Sequence, residues 1–354
     1  MDPKESFRQY ITSLDPKDRI AILHHTDSDG ITAGLIAKKS TELITGLEIS
    51  IHFHQKEGKI PITKNTIAFV KKNNINKLII VDLAIDHDPQ PVKDLEKHAK
   101  ILLIDHHEKT HDINSKNTTM IKAQDLSDIP SDKYPASKLC YDLFSDLADI
   151  KNLSWLAAIG IWGDYAQSQW PDFLKKTGIK ESRLEQADEL IFYSGSIKGA
   201  DGLTRSFDII DKSETIDDII KNPELNTYKD TVMAELDNYL DIHRTKADFH
   251  GNLIIYEIEP KHRIKSRLIN ILSQKYYPDR TIVLIQLDGD RAAISARRQD
   301  SKYSMNAMLK HALKDIPDSQ GGGHIPAAGG YLPAQYLEKF RQQVISYCKE
   351  KDLQ

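Results

Sequence analysis

Cysteine is nearly absent from this 354-residue sequence. The two that occur, Cys140 and Cys348, lie far apart and form no CxxC pattern. Neither a disulfide framework nor a thiolate metal site is legible, and free thiols in a reducing compartment are the expectation. Long hydrophobic runs are missing as well. No window approaches the roughly 18 consecutive apolar residues of a membrane span. The opening "MDPKESFRQY" carries no apolar stretch of the secretory type, so a cytoplasmic location is expected. Positive net charge is lacking too: the formal value of −4 argues against a protein that coats long nucleic acid. Internal repeats and low-complexity tracts are not found, which excludes solenoids and linker-rich chains.

What is present suits a soluble globular chain of two or three domains, with 40% hydrophobic and 28% charged residues. Charge is unevenly spread. Residues 244–310 hold 13 Lys/Arg against 7 Asp/Glu, leaving the remainder distinctly acidic. An acidic part beside a basic one suits a metal site next to a phosphate-gripping surface, although solvated faces produce the same runs. Four runs read as strands buried on both faces, being rich in Ile, Leu and Val with little alternation. They are "RIAILHH" (19–25), "LEISIHF" (47–53), "KLIIVDLAI" (77–85) and "AKILLIDHH" (99–107). Helical patterns separate them at 30–44, 63–73 and 91–98, so the expected architecture is α/β, a mainly parallel sheet with helices on both faces. More helices are expected at 135–147, 152–166 and 182–194. From 195 to 226 the pattern weakens around "GSIKGADG". Beyond a helix at 228–243, strands at 252–260, 281–289 and 291–298 and helices at 267–276, 304–314 and 335–349 indicate a smaller α/β domain with a mixed sheet. The expected division is a catalytic domain (1–195), a helical linker (196–247) and a second domain (248–354).

Acids and imidazoles collect where the first strands end. The first runs into His25-Thr26-Asp27-Ser28-Asp29-Gly30. On an extended chain residues i, i+2 and i+4 point the same way, so His25, Asp27 and Asp29 would converge, with Gly30 permitting a sharp turn. "DSDG" by itself is equally a common turn or helix cap. The third strand ends in Asp82 and the fourth in Asp105-His106-His107. In open α/β sheets the ligand crevice lies outside the carboxyl ends of the strands. Such a rim repels itself unless a cation compensates. Mixed Asp/His donors without thiolate favour Mn²⁺, with Mg²⁺ an alternative. The surplus of donors over one ion's needs suggests a pair about 3.5–4 Å apart, the spacing of phosphoryl hydrolases. Near the other end, "GGGHIPAAGG" (321–330) reads as a glycine-rich turn whose amides could cradle phosphate, with His324 at its exit. "SARR" (295–298) offers one arginine to fork onto phosphate and another as an ordinary surface charge.

Taken in order, "HTDSDG", "VDLAIDH", "LLIDHHEK", "AAIGIWGDY" and "GGGHIPAAGG" make the chain resemble the DHH phosphoesterase family, in its RecJ-like and nanoRNase-like branches with a DHH-associated second domain. "HxDxDG" has the look of the archaeal-type relatives. The resemblance implies two metal ions, with His25 and Asp27 on one, Asp29, His106 and Asp164 on the other, and Asp82 bridging. It is the resemblance that promotes Asp164, which otherwise reads as a helix-end residue. It further implies that His107 faces the scissile phosphate, that Asp105 supports a histidine, and that Gly322, Gly323 and His324, with Arg297, hold a phosphate in a domain that closes over substrate. The implied reaction is a two-metal, bridging-hydroxide hydrolysis. His25 stands where bacterial RecJ exonucleases have Asp, and the chain is too short for their oligonucleotide-binding fold. The lack of that fold, with the modest net charge, points to short single-stranded DNA or RNA cut to mononucleotides. The alternatives are a phosphoadenosine phosphate phosphatase, a cyclic-dinucleotide phosphodiesterase, or a replication or repair subunit on the same fold. The resemblance also admits a homodimer.

Overall fold

Why the first strands are apolar on both faces is visible in the computed structural model, which describes residues 2–55, 62–198 and 200–352. Its chain divides into two compact units, Met1–Lys229 and Asp230–Gln354. In the first, β1 (Ile20–His24), β2 (Ile51–His54), β3 (Lys77–Val81), β4 (Lys100–Asp105) and β5 (Thr118–Lys122) form a sheet of order β2-β1-β3-β4-β5. All four pairings are parallel. Successive residues of a strand point to opposite faces. Ile22, Ile79, Leu102 and Ile104 accordingly enter one core, while Leu23, Leu78, Ile101 and Leu103 enter another. The larger core is completed by α1 (Pro3–Thr12), α2 (Ser28–Thr45), α5 (Ala136–Ser145), α6 (Ser154–Gly163) and α8 (Glu181–Lys198). The other face is closed by α3 (Lys64–Lys72) and α4 (Pro89–Leu95), through Val70, Val92 and Leu95. At roughly 1.5–3 kcal/mol per buried aliphatic side chain, a one-residue slip of β4 would exchange its two faces and misplace the whole set.

The segment from 196 onward, expected as a linker, is shared between the units. Helices α9 (Ala200–Asp211) and α10 (Ile216–Ile220) send Phe207, Ile210 and Ile219 into the first core. Their short apolar spacings explain why the pattern looks weak; Gly199 lies outside the described residues. α7 (Pro171–Thr177) also belongs to this unit, and α11 (Pro223–Lys246) begins in it and ends in the second.

In the second unit the strands are β6 (Asp248–His250), β7 (Leu253–Ile258), β8 (Thr281–Asp288), β9 (Arg291–Arg297), β10 (Gln320–Gly323) and β11 (Ala327–Pro333). The order β10-β11-β9-β8-β7-β6 is mixed, β7–β8 alone being parallel. Its core joins Val283, Ile285 and Ile294 to Met305, Met308, Phe340 and Val344 from α13 (Met305–Ala312) and α14 (Leu337–Asp352). The remaining helix, α12 (Lys265–Ile271), is prolonged by a wider turn over Leu272–Tyr276. One expectation fails here. The three glycines of "GGGH" lie in the edge strand β10 of a hairpin, Gly322 opposite Gly329 and Gly323 opposite Ala328, rather than in a turn, and His324 follows the strand's end. An edge strand still turns alternate amides away from the sheet, so anion donors persist in a different geometry. No helix among the described residues is long and apolar enough to cross a membrane.

Candidate metal centre

The chain leaves β1 for β2 on one side and continues through β3, β4 and β5 on the other. The carboxyl ends of β1 and β3 therefore flank the point where strand order reverses, the usual crevice of an open α/β sheet. β1 ends at His24 and α2 starts at Ser28, so the extended i, i+2, i+4 reading of His25, Asp27 and Asp29 does not hold. Asp27 is the helix N-cap, its Oδ1 accepting from the Gly30 amide at 3.0 Å while Oδ2 meets His25 Nδ1 at 2.8 Å. Cap and cluster member are one residue. A Cβ at Gly30 would stand 2.5 Å from His25 Cβ, which is why the close return from strand to helix needs glycine. Asp29 lies in the first turn of α2 and is buried. Its oxygens accept from the Ala136 and Ser137 amides at 2.7 and 2.9 Å, the N-terminus of α5, where helical amides favour negative charge.

Asp82 ends β3 with φ of 57°, a left-handed conformation that stops the expected strand at Val81 and aims the carboxylate into the crevice. Only 2% of it is exposed, and its Oδ1 has no hydrogen-bond donor. Around it stand His106 Nε2 at 3.3 Å, His25 Nδ1 at 3.6 Å and His107 Nδ1 at 3.8 Å. Asp164, capping the C-terminus of α6, brings Oδ2 to 3.5 Å from His106 Nε2. Three groups of ligand-capable atoms, each within 4.8 Å, result: His25, Asp27 and Asp82; Asp29, His106 and Asp164; Asp82, His106 and His107.

Electrostatically the cluster is frustrated. Burial, with the Asp82 charge beside it, pushes Asp29 up to about 7. Burial and the charges of Asp29 and Asp82 push Asp164 up to about 9. For His25, burial favours the neutral ring, but hydrogen bonds and charge from Asp27 and Asp82 outweigh it and hold the imidazole near 11. His106 is held near 11 in the same way, burial being overcome by Asp82 and then by Asp29 and Asp164. A buried carboxylate oxygen without a donor, amid acids and imidazoles but no thiolate, is a donor set suited to divalent cations.

Apart from Asp105, expected to support a histidine, several supporting groups were not legible in the sequence. The Ser131 carbonyl, which can only accept, takes a hydrogen bond from His106 Nδ1–H at 2.9 Å and leaves Nε2 facing Asp82 and Asp164. Asp105 orients His107, with Oδ1 2.8 Å from its Nδ1. This carboxylate is held well below the usual range: burial opposes ionisation, but the His107 hydrogen bond and the Lys122 charge prevail. Lys122, fully buried at the end of β5, reaches Asp105 Oδ2 at 2.6 Å, Asp86 Oδ1 at 2.7 Å and the His107 carbonyl at 3.2 Å. Asp86 also accepts from the Thr110 amide and hydroxyl, which pins the stretch following His107. The one available signal was a lysine closing the short apolar run "TTMIK".

In the second unit, Arg297 at the end of β9 bonds Asn270 Oδ1 at 3.1 Å and the Ala296 carbonyl at 3.0 Å, and burial lowers its pKa. In register it faces Ala327, just beyond His324, which is exposed, and β10 carries Gly322 and Gly323. Arg298 is no surface charge. It is 2% exposed, forks onto Asp300 at 2.7 and 2.9 Å, and lies over the Tyr303 ring.

Two family models match the chain. The DHH family N-terminal domain covers residues 19–161 and the DHHA1 domain covers residues 251–350. The chain is a DHH-family phosphoesterase, a hydrolase in which that N-terminal domain is followed by a DHHA1 domain. Among solved structures it is similar to an exonuclease RecJ bound to manganese, at 16% identity and a TM-score of 0.70, over 98% of this chain and 94% of that one. RecJ from Thermus thermophilus in complex with Mn²⁺ is similar at 15% identity and a TM-score of 0.68, over 99% of this chain but 55% of that protein. A pGpG-specific phosphodiesterase from Vibrio cholerae follows at 13% identity and 0.52, over 94% of this chain and all of that one. These likenesses concern the fold. No curated protein matches the sequence.

Proposed function

We propose that this chain is a divalent-metal-dependent phosphodiesterase that cuts short single-stranded oligonucleotides to mononucleotides, with Mn²⁺ as the preferred ion. The observation that carries the reading is the convergence on Asp82 of His25, Asp27 and His106, with Asp29 and Asp164 closing the second group. His25 and Asp27 would hold one ion, Asp29, His106 and Asp164 a second, and Asp82 would serve both. Bound there, the ions would supply the positive charge that activates water and offsets the charge growing on phosphorus. The chain's own residues do the rest. Ser131 keeps the His106 Nε2 lone pair facing inward, and the α5 amides keep Asp29 in place. His107, oriented by Asp105 and with its side chain 45% exposed, faces substrate and hands a proton to the departing oxygen. Arg297, Gly322, Gly323 and His324 receive a substrate phosphate in the DHHA1 domain.

Both kinds of relative support a nucleotide substrate. One is named an exonuclease, and the other acts on pGpG, itself two nucleotides long. The test is a Mn²⁺-dependent digest of 5′- and 3′-labelled DNA and RNA from two to about twenty nucleotides, beside pGpG and phosphoadenosine phosphate. Release of mononucleotides from the two- to five-nucleotide series is expected. Intact short oligonucleotides alongside turnover of phosphoadenosine phosphate would replace this reading with the small-nucleotide one.

A further inference from the structure

Beside the cluster stands a residue that none of this uses. Helix α6 ends in a Schellman arrangement, the Ala166 amide donating to the Ile161 carbonyl at 3.0 Å and the Tyr165 amide to the Trp162 carbonyl at 3.1 Å. The position between cap and closing residue is left-handed, and glycine normally fills it. Here it is Tyr165, with φ of 53°. The other non-glycine residues with positive φ among those described are Asn74, Asp82, Ser301, Asp315 and Asp318, all small and polar. Tyr165 is the one bulky side chain held this way. Its strain is not offset by packing, since the residue is 78% exposed.

Its position explains what the strain achieves. Asp164, the preceding residue, is the one that reaches His106 at 3.5 Å. On the other side Lys133 Nζ donates to the Tyr165 carbonyl at 3.5 Å, from the same short turn whose Ser131 carbonyl orients His106. The Trp170 indole in turn donates to the Lys133 carbonyl at 2.7 Å. Two segments that build the metal cluster therefore fix the backbone of an aromatic ring at its rim. Strained backbone held by surrounding structure is a mark of functional sites, and an exposed flat ring beside phosphate chemistry suits stacking on a nucleobase.

We propose that Tyr165 stacks on the base adjoining the scissile phosphate, so that the site selects nucleotide phosphodiesters over base-free ones. The inference rests on the nucleotide reading above and names the residue that recognises the base. The test compares Tyr165→Gly and Tyr165→Phe with the unmodified protein, on a dinucleotide and on its counterpart lacking both bases, with Mn²⁺ present. Tyr165→Gly is expected to raise KM for the dinucleotide about tenfold with kcat little changed, to leave turnover of the base-free diester unaltered, and to melt no lower. Tyr165→Phe keeps the ring and should keep KM. An unaltered KM in Tyr165→Gly, or an equal loss on the base-free diester, overturns the proposal while leaving oligonucleotide hydrolysis standing. Failure of the unmodified protein on both diesters would sink the substrate reading together with it.

Discussion

Asp82 shows how a single residue can serve a site at a cost to its fold. Its left-handed backbone, near-total burial and undonated oxygen would each be unfavourable alone. Asn is the substitution that preserves shape and tolerates the same φ. Asp82→Asn should therefore keep the fold and lower Mn²⁺-dependent hydrolysis about a thousandfold or more. Without added cation it should melt as high as the unmodified protein or higher, because one charge leaves a crowded set. Activity assays and thermal melts with and without Mn²⁺ check both parts. Lys122 behaves oppositely. Its removal leaves the buried Asp86 and Asp105 carboxylates facing each other's field without a cation. Lys122→Met should cost about 3–5 kcal/mol, read as a melting temperature lower by roughly 10 °C for a unit of this size, and hydrolysis should fall as His107 loses its orientation.

At the scale of elements, the site is made where strands stop and helices start. Asp27 belongs to both, since one oxygen caps α2 and the other meets His25. The two duties separate by substitution. Asp27→Ser retains an oxygen for the Gly30 amide, whereas Asp27→Ala loses the cap, at about 1 kcal/mol. Urea melts should rank unmodified and Ser together above Ala, while Mn²⁺-dependent hydrolysis should be lost in both variants. A Ser variant with full activity would remove Asp27 from the proposed ligand set. Sequence reasoning placed α2 two residues late and read "HTDSDG" as extended, because apolar periodicity says nothing about where a capping side chain ends a strand. It also reads β10 as part of a glycine-rich turn, since glycines have no side chains to reveal alternation and only pairing with β11 makes that stretch a strand.

For the whole molecule, the cluster links stability to pH and to cation. In the cation-free protein Asp29, Asp164, His25 and His106 all have folded-state pKa values above their unfolded ones, at about 7, 9, 11 and 11. Each contributes stability that is complete below the unfolded value, roughly 4 for the carboxyls and 6.5 for the imidazoles, and is lost as pH rises through the folded value. The signs agree. Melting temperature in EDTA should fall as pH is raised from about 6 to about 9, and saturating Mn²⁺ should reverse most of that fall. A cation at one hundred times its Kd adds about 2.7 kcal/mol. An EDTA melt that is flat or rises over this range would mean that the acids ionise without strain.

The sequence by itself determined the α/β class, the parallel sheet and the residues His25, Asp27, Asp29, Asp82, His106 and Asp164 that gather at its rim. Apolar runs declare buried strands, and a motif order declares a family. Which atoms face which was decided only in three dimensions. Ser131, Lys122, Asp86 and the α5 amides act across 25, 17, 36 and 107 residues of chain, and such pairings leave no local pattern. Tyr165 is the same lesson in one residue. Its letter is ordinary, and only the turn that ends α6 shows that it is held, strained and exposed, at the edge of the cluster.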